Sequence, residues 1–339
     1  MHPSICARFL SVSLVGAALL FHLPLVHGQA PPVSEAAPVA SATTLPAPAF
    51  KRDASGTVTI EGGPADSVVC YTLDGSDPVM KSGRYLAPIA LAHGGIVKAR
   101  IFNPDRKVKS EATSMQYDPL PGMSPLPSTL VPVTQDRSWP SYDWTKRHED
   151  ACAAEREMQP QILFIGDSIN HFFTPEVFQQ AYGSRKAINL GFGWDRTENV
   201  LWRLEHGELD GISPKVAVVM IGTNNLQLNT NAEIVEGIRG ICAEIHTRQP
   251  NTKILLLGIF PRGEKPGGLR DRIAEINRSV SALDGRDGVT YLNFGGKFLE
   301  MDGTISKDVM RDFLHPTESG YQIWVDAMEP TLARLMEGK

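Results

Sequence analysis

The chain of 339 residues has few cysteines, few aromatics, no excess of basic charge and only one long apolar run, and each shortage excludes something. Its four cysteines, Cys6, Cys70, Cys152 and Cys242, include no C-x-x-C pair, so neither a thiol redox motif nor a zinc-ribbon pattern is present. Three cysteines remain once Cys6 is counted with the leader described below. They allow at most one disulfide, with Cys152 and Cys242 the candidates considered, and they read first as small buried thiols. Lys and Arg number 33 against 38 Asp and Glu, a net charge of −5. No global positive field exists to hold nucleic acid or an anionic membrane surface. The apolar run from Phe9 to Val26 follows Arg8 and is broken by Ser11, Ser13, Gly16, His22 and Pro24. His22 and Pro24 shorten it below the roughly 20 residues that a membrane span needs. With small residues at Gly28 and Ala30 beyond it, residues 1–28 read as a signal peptide cleaved near Gly28. The mature protein is then secreted or periplasmic and has no integral span.

Proline, alanine, serine and threonine dominate residues 29–50, a composition that buries too little surface to order itself and so reads as a linker. From Lys51 to Asp118 short alternating runs take over: T-V-T-I-E, S-V-V-C-Y-T-L, G-I-V-K-A-R-I-F and A-T-S-M-Q-Y. Gly, Asp and Pro punctuate them, notably in D-G-S-D-P at Asp74–Pro78, as hairpins and loops require. The expectation is a small β-sandwich. The string Y-T-L-D-G-S-D-P, with S-G-R-Y-L-A-P-I-A-L and V-K-A-R-I-F after it, resembles the C-terminal module of chitobiases and other β-hexosaminidases. That resemblance implies a companion of sugar-processing enzymes, acting as a spacer or a sugar contact, and supplies no catalytic residue.

A second proline-rich stretch over residues 119–138 reads as another linker, leaving residues 139–339 as a second, larger domain. In this domain Tyr142–Met158 carries helical periodicity. Five apolar runs follow: Gln161–Gly166, Ala187–Phe192, Val216–Gly222, Lys253–Phe260 and Val289–Phe294. Their near-continuous hydrophobicity fits strands buried on both faces, and the amphipathic segments between them, such as Asn231–Arg248 and Gly268–Leu283, fit covering helices. The fold class is therefore α/β, a three-layer arrangement around a five-stranded parallel sheet.

Gly166, Asp167 and Ser168 stand where the first of these strands ends, the edge at which open α/β sheets bind ligands. Alone, G-D-S is also an ordinary helix N-cap. Three further segments end successive elements: N-L-G-F-G-W-D at Asn189–Asp195, G-T-N-N at Gly222–Asn225, and D-F-L-H-P at Asp312–Pro316. In this order the four blocks resemble the SGNH (GDSL-like) hydrolase superfamily. The run D-R-T-E-N-V-L-W-R-L-E-H-G-E-L from Asp195, with T-R-Q-P and G-I-F-P-R-G-E-K-P, is similar to the catalytic subunits of platelet-activating-factor acetylhydrolase. The resemblance extends from about Trp139 to Met336 and implies a flavodoxin-like fold and a serine esterase that needs neither metal nor organic cofactor.

Residue chemistry assigns the roles. A serine hydroxyl needs a base to become nucleophilic, and His315 is the histidine in a motif position, with Asp312 three residues earlier to orient it. His93, His148, His206 and His246 read as surface or core residues. The negative oxygen of a tetrahedral intermediate needs donors. The backbone amide of Ser168, one from the Asn189–Asp195 loop and the side-chain amide of Asn224 are the candidates. Where the family has glycine immediately before the aspartate of its second block, this chain has Trp194 after Gly193, so either amide is a candidate for the loop's contribution. The indole then lines the substrate cleft or packs on the helix that follows. Asp167 and His171, next to the nucleophile, are the other cleft candidates, although Asp167 reads foremost as a brace for the nucleophile turn. Arg196, Arg203 and Glu205 read as a solvated helix face, and Pro261–Gly268 as a rim loop without a nucleotide-loop ending. The expected reaction is removal of a short acyl group, acetate foremost, from a decorated glycan. The rivals are a lipid or platelet-activating-factor-like acylhydrolase and an inactive glycan-binding surface protein.

Overall fold

A computed structural model describes residues 44–80, 82–105, 107–135 and 143–338. The expected signal peptide and most of the first linker lie outside these residues. From Thr44 onward the chain forms one compact unit, and among the described residues no helix is long and apolar enough to cross a membrane.

The N-terminal strands are β1 (Ala49–Arg52), β2 (Thr57–Glu61), β3 (Val68–Thr72), β4 (Gly83–Arg84), β5 (Ile89–Ala90), β6 (Gly95–Phe102) and β7 (Thr113–Tyr117). β1 starts inside the stretch read as linker. The strands make two antiparallel sheets, ordered β1-β2-β5 and β4-β3-β6-β7. Alternation along β6 turns Val97, Ala99 and Ile101 inward and leaves Lys98 and Arg100 outside, where both pair with Asp77. Val58, Ile60 and Ile89 from one sheet and Tyr71, Val97 and Ala99 from the other share one apolar core, so the two sheets form a sandwich. At the D-G-S-D-P turn Asp74 accepts the Ser76 amide at 3.0 Å, while Gly75 takes φ +82°, a value glycine adopts without strain.

The rest comprises α1 (Trp144–Met158), β8 (Ile162–Gly166), α2 (Ser168–His171), α3 (Pro175–Tyr182), β9 (Ala187–Gly191), α4 (Thr197–Glu205), β10 (Val216–Met220), α5 (Asn231–Arg248), β11 (Lys253–Leu257), α6 (Gly268–Val280), β12 (Val289–Leu292) and α7 (Glu318–Met336). The five strands run parallel in the order β12-β11-β10-β8-β9. Leu163 and Ile165 of β8 face one core with α4, α5 and α6, whereas Ile162 and Phe164 face a second core with α3 and α7. Both faces are therefore apolar, which is why the strands read as continuous runs rather than alternations. The expected three-layer α/β fold with a five-stranded parallel sheet is the observed one. Sequence order along the sheet reverses direction at β8, and the crevice between β8 and β10 is the topological switch point where such sheets bind ligands.

Two expectations change. The proline-rich bridge is docked rather than slack: Thr129, Val133, Thr134 and Gln135 are buried. Thr129 donates to the Glu233 carbonyl at 2.7 Å, and Asn199 donates to the Val133 carbonyl at 3.0 Å. Because that bridge, α1 and α5 cover α4, Thr197 through Leu204 are all buried, and Arg203 lies in the interior rather than on a solvated face. Cys152 and Cys242 are buried free thiols, and Cys70 is buried as well.

Candidate active site

Sheet register brings three of the sequence blocks to one level. Gly166 pairs with Gly191 on one side and with Met220 on the other, so the loops after β8, β9 and β10 leave the sheet together. A Cβ on Gly166 would lie 2.5 Å from the Met220 carbonyl oxygen and 2.6 Å from Asn170 Oδ1, so only glycine permits this turn. Asp167 is buried and accepts the Ile169 amide at 2.9 Å, capping the single turn α2. Burial pushes its carboxyl up to about 7 against the opposing amide hydrogen bond. It braces the turn and does not line an open cleft.

Ser168 opens α2, almost fully buried. Its Oγ lies 2.9 Å from His315 Nε2, and His315 Nδ1 lies 2.7 Å from Asp312 Oδ2. A carboxylate only accepts, so Nδ1 carries the proton and Nε2 is left to accept from the hydroxyl. Asp312 Oδ1 also accepts the backbone amides of His315 at 2.8 Å and Leu314 at 3.2 Å. Burial alone would raise the Asp312 pKa, but the His315 ring and these amides together hold it below the usual carboxylate value. Phe313 sits between the two with φ +61°, and its carbonyl accepts the Gly263 amide at 2.8 Å. A bridge between Met310 and Pro316 closes the loop at its base. A hydroxyl, imidazole and carboxylate so arranged can move a proton from oxygen to nitrogen while stabilising the resulting imidazolium.

The loop from Gly191 to Asp195 is held at nearly every peptide. Arg147 donates to the Gly191 carbonyl from Nε at 3.1 Å and Nη2 at 2.7 Å. The Phe192 amide donates to the Gly166 carbonyl at 3.0 Å and the Gly193 amide to His171 Nδ1 at 3.0 Å. Gln135 donates to the Gly193 carbonyl at 2.9 Å, and Asn224 Nδ2 to the Asp195 carbonyl at 2.9 Å. Trp194, between these fixed points, has φ +67°, and its side chain is 42% exposed. That left-handed backbone is the one glycine would adopt at this point, and it is unusual for a bulky residue. Asn224, half-buried, has one amide hydrogen engaged and a second in its inventory.

Beneath the loop lies a buried charge network. Asp195 Oδ2 accepts from Arg203 Nε at 2.8 Å, and its Oδ1 accepts from Trp144 Nε1 at 2.7 Å and Gln135 Nε2 at 2.9 Å. Burial pushes Asp195 up to about 7, opposed chiefly by the Arg203 charge; donors on both oxygens favour the ionised form. The Arg203 guanidinium also binds both Glu208 oxygens.

Motif reading did not reach Gln135, Arg147 and Arg262. Arg262 donates to the Thr223 carbonyl at 3.3 Å and hydroxyl at 3.2 Å, and feels the charges of Asp167 and Asp312. Its place in the G-I-F-P-R-G-E-K-P run and in the rim loop is the signal the sequence carries for it. His171 turns toward the Gly193 amide, and Phe172, 45% exposed, sets its ring edge-on to His315 with centroids 5.2 Å apart.

Residues 58–117 match the Fn3 associated family and residues 164–323 the GDSL-like Lipase/Acylhydrolase family. The platelet-activating factor acetylhydrolase IB subunit alpha2 of Homo sapiens is 39% identical over 196 residues, 57% of this chain and 85% of that relative. The alpha1 subunit from the same organism is 36% identical over 195 residues, covering 57% and 84% respectively. The crystal structure of a GDSL-like lipase from Bacteroides thetaiotaomicron is 17% identical, covers 56% of this chain and 97% of its own, and superposes with a TM-score of 0.49. With the identity and coverage of its acetylhydrolase relatives, this chain belongs to the GDSL-like lipase/acylhydrolase family and is an ester-bond hydrolase.

Proposed function

We propose that this protein removes short acyl groups, acetate foremost, from carbohydrate through a Ser168 acyl-enzyme. The observation that carries the reading is the continuous relay of 2.9 Å from Ser168 Oγ to His315 Nε2 and 2.7 Å from His315 Nδ1 to Asp312 Oδ2. Ser168 Oγ bonds to the ester carbonyl carbon as its proton passes to Nε2. The alcohol leaves with that proton. Water then gives a proton to His315 and its oxygen to the acyl carbon, Ser168 recovers its hydrogen, and the acid departs. Asp312 holds the tautomer throughout.

The oxyanion donors in this reading are the Ser168 amide, the Asn224 side-chain amide and the Trp194 amide. The Gly193 amide is committed to His171, and the left-handed φ of Trp194 stands in for the glycine of related sequences. Each donor is worth about 2.7–4 kcal/mol of transition-state stabilisation. The exposed indole and the exposed Phe172 ring supply flat apolar faces of the kind that stack on sugars. The hexosaminidase-like N-terminal module and the leader-like N-terminus support a secreted enzyme acting on a glycan. A phospholipid acetyl ester is the second reading, favoured by the identity with the platelet-activating factor acetylhydrolase subunits.

The test is hydrolysis of p-nitrophenyl acetate, butyrate and octanoate by the protein and by Ser168→Ala. Turnover confined to acetate and lost in the variant is the expected result, followed by preference for acetylated oligosaccharide over a 2-acetyl phospholipid. Activity unchanged in Ser168→Ala would remove the acyl-enzyme reading, and preference for the phospholipid would move the substrate to the second.

A further inference from the structure

We propose that His171 is a positioning residue, fixing the oxyanion loop at Gly193–Trp194 relative to the nucleophile. The inference rests on the Ser168 esterase reading.

Ser168 and His171 are the first and last residues of α2. Three residues apart, they lie on the same side of one helical turn. The nucleophile and the loop's anchor thus share one rigid element, capped by Asp167 at its start. From that turn His171 Nδ1 accepts the Gly193 amide at 3.0 Å, one residue before the amide assigned to the oxyanion. A second contact closes the same gap from below, since a Cβ on Gly191 would approach the His171 backbone nitrogen to 2.2 Å. The loop therefore rests directly on the turn. The His171 ring stacks on Phe172 with centroids 5.3 Å apart and planes 25° apart, and Phe172 in turn meets His315 edge-on.

Accepting the Gly193 proton requires an imidazole with a bare Nδ1. Burial lowers the His171 pKa to about 4, and the nearby Arg147 charge acts in the same direction, so the ring is neutral at pH 7 with its proton on Nε2. The bond also commits the Gly193 amide. Two adjacent amides on one loop would otherwise compete for the developing charge, and that stretch would need to reorganise during the reaction, the cost that preorganisation avoids.

The experiment compares His171→Phe, which keeps a flat ring without an acceptor, with His171→Asn, whose Oδ1 stands the same number of bonds from Cβ as Nδ1. Both are assayed on p-nitrophenyl acetate beside the wild type and Ser168→Ala, with thermal melts of each. The expected result for His171→Phe is a fall in kcat of about 10- to 100-fold, the scale of a misplaced catalytic group, with KM within about threefold. In His171→Asn kcat returns to within about fivefold of wild type. If the phenylalanine variant does not melt cooperatively, His171→Ala takes its place. Wild-type kcat in the acceptor-free variant overturns the inference, as does an asparagine variant folded and equally impaired, or a loss confined to KM. Absence of Ser168-dependent turnover in the wild type removes the esterase reading and this inference with it. That result differs from an active wild type whose His171 variants are unimpaired.

Discussion

Asp195 closes one of the blocks and Asp312 opens another at the same edge of the sheet, yet their surroundings are opposite. The Asp312 side chain is 50% exposed, and its pKa is held below the usual carboxylate value. Asp195 has no exposed surface and is driven up to about 7 by burial. The difference separates two tasks. A carboxylate that must steady an imidazole while the ring changes charge benefits from solvent and soft backbone donors. A carboxylate that must hold a loop still is locked among Arg203, Trp144 and Gln135. Losing the first is expected to cost rate, and losing the second to cost folding.

The largest expected effect breaks the comparison on the first side. Asp312→Asn replaces the acceptor that sets the His315 tautomer, and in a triad that change lowers kcat by about 10⁴-fold. Its half-exposed position limits the stability change to about 1 kcal/mol. A fall in kcat with an unchanged melting temperature is expected; a kcat within tenfold of wild type would show that Asp312 is not the orienting group.

Next in size is Arg203→Met, which leaves Asp195 and Glu208 as buried carboxylates without their counter-ion. Stranding a buried charge costs about 3–5 kcal/mol. For a chain of this size that is a drop of roughly 10 °C in melting temperature, with kcat per folded molecule much less affected than in Asp312→Asn. A melting temperature within 2 °C of wild type, a threshold of about 1 kcal/mol, would mean that the network is hydrated rather than dry.

Acid should find the buried side first. His148 is lowered to about 4 by burial, with the Arg203 charge adding to the effect and its hydrogen bond to the His206 carbonyl opposing it. His171 is lowered to about 4 by burial as well. Between their ordinary value of 6.5 and 4 the unfolded chain binds protons that the folded chain refuses. The stability that these two histidines contribute therefore falls as pH drops through that window and is fully present above it, while Asp167, raised to about 7 by burial, contributes with the opposite sign. For His148, almost fully buried, a shift of this size corresponds to about 3 kcal/mol. In denaturant melts from pH 7 to pH 4 the wild type should lose stability relative to His148→Gln as the pH falls; an identical pH dependence in that variant would show that His148 does not contribute.

The legibility of this chain divides along the same line. The parallel strands were readable because burial on both faces leaves an unbroken apolar run, and Ser168, Asp312 and His315 because their blocks are contiguous. Contacts that join blocks were not readable. Gln135 reaches Asp195 from a proline-rich stretch that looks like a spacer, and composition cannot reveal that Val133 and Asn199 exchange a hydrogen bond across the fold. Arg203 looked solvated because its local charge pattern is that of a surface helix, and only tertiary cover by the bridge, α1 and α5 reverses that. The left-handed Trp194 was readable as a departure from glycine, but whether the backbone would accept it depended on the bonds at Gly193 and Asp195 on either side.

The smallest effect is the most discriminating for the loop. Trp194→Gly restores the residue type that adopts φ +67° without a Cβ penalty, and it keeps the backbone amide. If that amide is the oxyanion donor and the loop is fixed by His171, Gln135 and Asn224 rather than by the indole, kcat should stay within about threefold of wild type. Loss of the exposed ring should instead raise KM for an acetylated oligosaccharide by about 3- to 10-fold, corresponding to 0.5–1.5 kcal/mol of aromatic contact, with little change for p-nitrophenyl acetate. Trp194→Ala retains the strain without the ring, and so should melt below Trp194→Gly by about 1 kcal/mol. A glycine variant that loses kcat on both substrates would show that the indole itself holds the loop. The ring's contacts, and not the peptide bonds around it, would then define the oxyanion site.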